Sequence, residues 1–363
     1  MAADAGGEGC ARRARRGAGA IAARGSGTGG RGTGDLMAEA VAEATPRTGI
    51  GVRARLVRGA SWVACRLPEG PLLALADVAG RAWFQIATER RRRARRNLTR
   101  VARWLTDHDL ASAEVRAAAT DGRALTRLVR DAFKFSARYY VQLARSPNVD
   151  HDYLARWLVI DTPEVLDETL GDPRGALFVG MHMAWFELPA LFAADRTGRL
   201  TIVPSETLAD AAMQAYMVET RHRMGLELIE LSGAKRVLKQ ALLDGRVVGL
   251  LGDRDITGGG IDTPLFGAPA PLAAGPALLA METGHTPHVF GVWRDRSGVY
   301  HVSAEPVPMP TQGTRRERVT AFLEAEAHAF ERHIARAPEQ WLAIFHPIWP
   351  DLDPPARGSE ARS

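Results

Sequence analysis

Apolar positions in the second half of the chain fall into short runs broken by glycine, proline or charge. The runs cover residues 176–180, 200–203, 227–231, 247–251, 287–293 and 300–304. Runs of this length and bounding predict β-strands. Between them, apolar residues recur three and four apart over 185–194, 210–223, 234–244, 275–282 and 315–335, which predicts helices. Gly275-Pro276 sets a proline at the first turn of one of them, where its missing N–H costs nothing. Alternating strands and helices predict an α/β fold with a mostly parallel central sheet flanked by helices. Sites in such folds collect at the carboxyl ends of the strands.

The first half reads as helices of a different kind. Over 52–67 the residues Val52, Leu56, Val57, Ala60, Val63, Ala64 and Leu67 lie at helical spacing, with Arg53, Arg55, Arg58 and Arg66 between them. Pro68 and Pro71 interrupt, and a second apolar helix is predicted over 72–87 with Trp83 and Phe84. Such basic amphipathic segments either lie at an anionic membrane surface or pack on the core with a solvated charged face. The densest basic run, Glu89 to Asn97, leads into an apolar stretch at 98–105 and suits phosphate, whether of a lipid head group or of nucleic acid. Nucleic acid is not the expected partner, because aromatic interleaving, zinc spacing and a known binding motif are missing. A helix over 124–143 carries Phe133, Phe135, Tyr139 and Tyr140, a stripe read as core and open to a second use as a groove wall.

Composition narrows the class. With 363 residues, 46% apolar and 25% charged, the chain can bury a full core. Much of the +5 net charge sits in a Gly/Ala-rich segment holding Arg12, Arg13, Arg15, Arg16, Arg24 and Arg31, which is expected to stay unfolded; Met37 is a candidate alternative start. The expected organisation is a disordered tail at 1–48, one domain at 49–350 whose residues 49–110 are amphipathic membrane-facing helices, and a second tail at 351–363. The two cysteines, Cys10 and Cys65, form no metal or redox spacing. No run approaches the roughly 20 apolar residues of a spanning helix, so a soluble or surface-bound protein is expected.

The candidate chemistry centres on Gly175-Ala-Leu-Phe-Val-Gly-Met-His182-Met-Ala-Trp-Phe-Glu187. Residues five apart lie about 140° from each other on an ideal helix and share no face. If His182 closes a strand-to-helix turn and Glu187 sits in the first turns of the helix, the two converge. A histidine held by a carboxylate takes a proton from an alcohol near neutral pH; the bland alternative is a helix cap beside a solvated acid. Asp253 and Asp255 flank Arg254 after the run at 247–251, so Asp253 follows one strand candidate as His182 follows another. Asp253 is then either a site residue or a strand-end cap. No G-x-S-x-G elbow is present, and Ser205, Ser232 and Cys65 lack a nucleophile's surroundings. The Gly258–Gly260 run lacks nucleotide-loop spacing. His222, His285, His288 and His301 form no ligand cluster, so no metal is expected.

These segments, with Phe266-Gly267, Ala274-Gly275-Pro276, the Arg-rich stretch before Asn97-Leu98, Arg221-His-Arg223-Met-Gly225, Ala337-Pro-Glu-Gln-Trp341 and Trp349, stand in an order that resembles the bacterial lipid A late acyltransferases. The likeness is strongest to their actinobacterial phosphatidylinositol mannoside branch and covers about residues 53–350. The resemblance implies a glycerolipid-acyltransferase-like fold and direct acyl transfer without an acyl-enzyme. It assigns His182 as base and Glu187 as the acid that orients it, with Asp253 also reaching the histidine. Arg221 and Arg223 match a basic pair near the phosphate-bearing substrate, and Arg254, Asp255 and Trp185 are further substrate-binding candidates. The implied partners are an acyl-CoA or acyl carrier protein donor, a glycolipid acceptor and an anionic membrane, with no cofactor. The expected location is peripheral, on the cytoplasmic face of the plasma membrane. Two rivals are a lipid A-type lauroyl or myristoyl transferase and a non-catalytic lipid-binding homologue.

Overall fold

The computed structural model describes residues 51–353, Thr257 excepted. The tail expected at 1–48, and all but residues 351–353 of the tail expected at 351–363, lie outside the described residues. Seven strands form the central sheet: β1 (Leu158–Ile160), β2 (Ala176–Gly180), β3 (Thr201–Ser205), β4 (Leu226–Glu230), β5 (Val247–Leu251), β8 (Pro287–Arg294) and β9 (Tyr300–Pro306), in the order β1-β9-β8-β2-β5-β3-β4. All neighbours pair parallel except β8 with β9. This is the expected mostly parallel α/β sheet. The continuous apolar runs fall where that architecture requires them: every residue of β2 is buried, at the centre of the sheet.

Three strands lie outside the predicted runs. β1 is only three residues long. A separate hairpin pairs β6 (Ile261–Leu265) with β7 (Ala268–Leu272) although it contains Pro264, Pro269 and Pro271. Its two-residue turn holds Phe266 at φ 49° and Gly267 at φ 73°. Positive φ at both positions matches the twist of a tight hairpin and explains the glycine.

Helices cover both faces of the sheet. On one side α7 (Pro163–Gly171) and α8 (Leu188–Thr197) bring Leu166 and Leu188 onto Phe178, Phe290 and Val302. On the other, α10 (Ala234–Leu243) and α11 (Gly275–Thr283) bury Leu238 and Leu279 against Leu177, Ile202 and Val248. The longest cluster joins α2 (Glu69–Ile86), α3 (Thr88–Asp107), α4 (Ala113–Thr120), α5 (Gly122–Arg145), the β6–β7 hairpin, α12 (Arg315–Ile334) and residues 337–349. α2 and α5 touch at Gly80, where a Cβ would lie 2.7 Å from the Lys134 Cα; only glycine permits that approach. Phe133 packs edge-on to Trp83, Phe84 and Phe345, so this part of the aromatic stripe is core. Tyr140 is exposed.

The remaining helices are α1 (Val52–Arg66), α6 (His151–Trp157) and α9 (Ala211–Arg223). α1 rests on α9, where Arg58 pairs with Glu219 at 2.6 Å. Much of the basic run of α3 is satisfied internally. Arg93 and Arg96 both pair with Asp353 at 2.6 Å, Arg100 pairs with Asp351, and Arg91 donates to the Phe84 carbonyl at 2.9 Å. These pairs hold residues 351–353 against the helical layer. Among the described residues no helix is long and apolar enough to cross a membrane.

Candidate active site

The site follows from the register of two central strands. In the β2–β5 pair Gly180 stands opposite Leu251, and the Gly252 N–H donates to the Gly180 carbonyl at 3.0 Å. Pairing therefore runs one residue past the strand ends and brings residue 182 beside residue 253. The chain then turns sharply. The Met183 N–H donates to the Met181 carbonyl at 2.7 Å, and Ala184 takes φ 49°. A second segment closes over this turn: the Ala184 N–H donates to the Gln340 carbonyl at 2.9 Å, and the Leu342 N–H to the His182 carbonyl at 2.7 Å.

Asp253 is fully buried and binds His182 twice. The imidazole Nδ1 lies 2.7 Å from Oδ1, and the His182 backbone N–H donates to Oδ2 at 3.0 Å. Trp341 Nε1 donates to the same Oδ2 at 2.8 Å. Burial opposes the Asp253 charge, yet the facing imidazole and these donors outweigh it and hold the carboxyl below its ordinary value. An ionised acceptor on Nδ1 requires the proton there, which leaves the Nε2 lone pair as a base. The imidazole is 19% exposed and lines the main cavity.

Glu187 occupies a different setting from the one expected. α8 begins at Leu188, not at residue 185, so Glu187 stands at the N-cap position. Its Oε1 accepts from the Tyr139 hydroxyl at 2.9 Å and faces Arg221 at 3.4 Å. Oε2 is buried without a hydrogen-bond partner. Burial pushes the Glu187 carboxyl up against the opposing pull of Arg221 and Tyr139. The hydrogen bond on the imidazole thus comes from Asp253, while Glu187 joins the neighbouring cluster. The physical reason is the turn at Ala184, which separates Glu187 from the helical position assumed for it.

The cavity, about 650 Å³, opens at the carboxyl ends of β2, β3 and β5. His182, Phe186, Glu187, Arg221 and Arg254 line it, and most of the remaining wall is apolar. Of the apolar residues that follow His182, Phe186 lines it, stacked on Tyr139 with centroids 5.6 Å apart. Trp185 and Met183 are buried instead; Trp185 packs edge-on to Tyr153 and Tyr300. Arg223 points away and pairs with Glu219 at 2.9 Å, one turn back on α9. Asp255 accepts the backbone N–H groups of Gly258 and Gly260 at 3.0 and 2.7 Å, and so shapes the loop after β5.

Three further residues emerge from the fold. Tyr139 belonged to the aromatic stripe, and its proximity to Glu187 was invisible across 48 positions. Trp341 was part of a motif but had no partner assigned. His346 had no sequence signal; burial, aided by the guanidinium charges of Arg254, Arg90 and Arg93, lowers it to about 4, so it is neutral at physiological pH.

The arrangement pairs a carboxylate-held histidine with an apolar cavity and guanidinium groups, which suits proton abstraction from a hydroxyl beside a long acyl chain. Comparison with known proteins agrees. The family model for bacterial lipid A biosynthesis acyltransferases matches residues 48–350. A phosphatidylinositol mannoside acyltransferase of Mycobacterium tuberculosis is 31% identical over 218 residues, 58% of this chain and 67% of the relative. One of Mycolicibacterium smegmatis is 30% identical over 230 residues, 61% of this chain and 72% of the relative. The resemblance seen in the motifs is therefore a real kinship: the chain is an acyltransferase and belongs to the bacterial lipid A biosynthesis acyltransferase family.

Proposed function

We propose that this acyltransferase moves a fatty acyl chain from a thioester donor to a hydroxyl of a glycolipid, with a mannosylated phosphatidylinositol as the acceptor class. The carrying observation is the Asp253–His182 pair at the mouth of a largely apolar cavity that Arg221 and Arg254 also line. The names of the relatives support the acceptor; the donor is acyl-CoA or acyl carrier protein. His182 Nε2 takes the proton of the acceptor hydroxyl as its oxygen attacks the thioester carbonyl. The tetrahedral intermediate collapses by breaking the C–S bond, and the imidazolium returns the proton to the departing sulfur. Asp253 holds the Nδ1 proton and stabilises the imidazolium. The apolar walls hold the acyl tail, and the guanidinium groups suit phosphate on either substrate.

Attachment is peripheral, at the anionic cytoplasmic face of the plasma membrane. On α1 and α2, Val52, Leu56, Trp62, Leu75 and Ile86 are exposed, from 58 to 79%. Arg53 and Arg55 stand among them on α1. Apolar side chains flanked by arginines suit an interface of acyl chains and anionic head groups.

The test is acyl transfer by the purified protein to phosphatidylinositol mannoside, from acyl-CoA and acyl carrier protein donors, beside His182→Ala. Mass spectrometry of lipids from cells lacking the protein should show a mannoside short of one acyl chain. Acylation of a lipid A-type disaccharide with none of the mannoside would shift the acceptor to the lipid A-type reading. Thioester binding without transfer would leave the non-catalytic reading. Reversing Arg53 and Arg55 to Glu should release the protein from anionic vesicles, each basic residue contributing about 1 kcal/mol there; unchanged co-sedimentation would leave only apolar attachment.

A further inference from the structure

We propose that Trp341 is a positioning residue for the catalytic pair: its indole N–H fixes the orientation and charge state of Asp253, and through Asp253 those of His182. This rests on the reading of His182 as the base. The Asp253 side chain has no solvent exposure, so its charge depends on protein donors alone. Oδ1 serves the imidazole; Oδ2 takes the His182 backbone N–H and the indole of Trp341. An indole donates and cannot accept. It therefore favours the ionised carboxyl and offers no acceptor to a proton on Oδ2, which in turn favours the Nδ1–H tautomer of His182.

The donor is also immobile. Trp341 is fully buried against Phe266 and Trp349, with ring centroids 6.0 and 6.3 Å away. Phe266 is itself pinned, its N–H donating to Glu331 at 2.5 Å, and Trp349 Nε1 donates to the Leu265 carbonyl at 3.0 Å. The same closing segment holds the backbone of His182 and Ala184. Histidine and aspartate are thus both referenced to residues 340–342 and not only to the loops that carry them. The rival account is a core tryptophan whose N–H found a convenient acceptor.

Trp341→Phe keeps a ring and removes the donor. We expect kcat to fall about 10- to 100-fold, the rate equivalent of one hydrogen bond to a charged group, with KM nearly unchanged. The decisive arm is Trp341→Phe combined with Asp253→Asn, expected to be no slower than Asp253→Asn alone. Losses that multiply, or a fall confined to KM, would overturn the proposal. A second measurement needs neither activity nor a tolerated substitution at 341. With ¹⁵N-indole placed at position 341 only, the N–H should exchange slowly, and its resonance should move in Asp253→Asn. An indole signal indifferent to that change would also overturn it. If the wild-type protein showed no His182-dependent transfer, the proposed function would fail while the indole experiment still decided the contact.

Discussion

Two buried carboxylates stand close to one histidine, and the fold treats them oppositely. Asp253 meets three donors at 2.7–3.0 Å and is held ionised below its ordinary range. Glu187 shares one oxygen between Tyr139 and a more distant Arg221, leaves the other without a partner, and is pushed up by burial. Depth is the same in both cases, so the number and placement of donors decide the charge. Environments that drive two neighbouring acids apart separate their roles. Asp253 suits the permanent anion that orients the imidazole. Glu187 suits a support that positions Arg221 and Tyr139 at the cavity wall.

The largest expected effect attacks the shared histidine. His182→Ala should reduce acyl transfer by roughly 10²–10⁴-fold with the fold retained, the usual contribution of a general base; near wild-type turnover would remove the histidine from the mechanism. Asp253→Asn should cost nearly as much, because an amide facing Nδ1 invites the tautomer whose Nε2 already carries a proton. Glu187→Gln should cost less than about tenfold, since its amide oxygen still accepts from Tyr139 at the price of one charged contact. Measuring kcat for all three variants tests the asymmetry directly. If Glu187→Gln proved slower than Asp253→Asn, the division of labour would be reversed.

The Asp253 half of this contrast was partly legible in the chain. The runs at 176–180 and 247–251 both ended in candidate chemistry, and a parallel sheet aligns such ends. Sequence spacing could not reveal the turn at Ala184, which moves the helix start to Leu188 and directs Glu187 Oε1 to Tyr139 and Arg221. The β6–β7 hairpin was hidden by its three prolines, which argue against a strand unless it is short and isolated. Trp341 bonds across 88 positions, and Arg93 reaches Asp353 across 260. No periodicity encodes such pairs. Apolar patterning placed the layers, while the polar partners depended on how loops from distant parts of the chain close over them.

A smaller effect separates the two arginines of α9. Arg221 is 15% exposed in its side chain and faces Glu187 in the cavity; Arg223 is 54% exposed and pairs with Glu219. Arg221→Ala should lower kcat/KM by about tenfold, by removing a guanidinium and leaving the Glu187 charge poorly compensated. Arg223→Ala removes an exposed pair one turn apart on a helix, worth about 0.3–0.5 kcal/mol, and should leave kcat/KM within about twofold. Equal losses at both positions would show that the acceptor reaches the outer face of α9.

The smallest effect is thermodynamic, and it separates the carboxylates without any assay of activity. Glu187 has a folded-state pKa above its unfolded value of about 4.3. Its favourable contribution is therefore present below that unfolded value and is lost as pH rises through the raised folded one. Above that window the buried charge weighs on the fold, and Gln, neutral throughout, does not carry it. The melting temperature of Glu187→Gln relative to wild type should rise from acid to neutral pH and then level off. Asp253 has the opposite sign. Its depressed pKa contributes stability above the ordinary carboxyl value and loses it as pH falls through the depressed one, so the deficit of Asp253→Asn should be greatest at neutral pH and narrow in acid. The shifts are expected to be on the order of a few degrees for a domain of this size. Two curves of the same slope would mean that the donors around Asp253 do not distinguish it from Glu187.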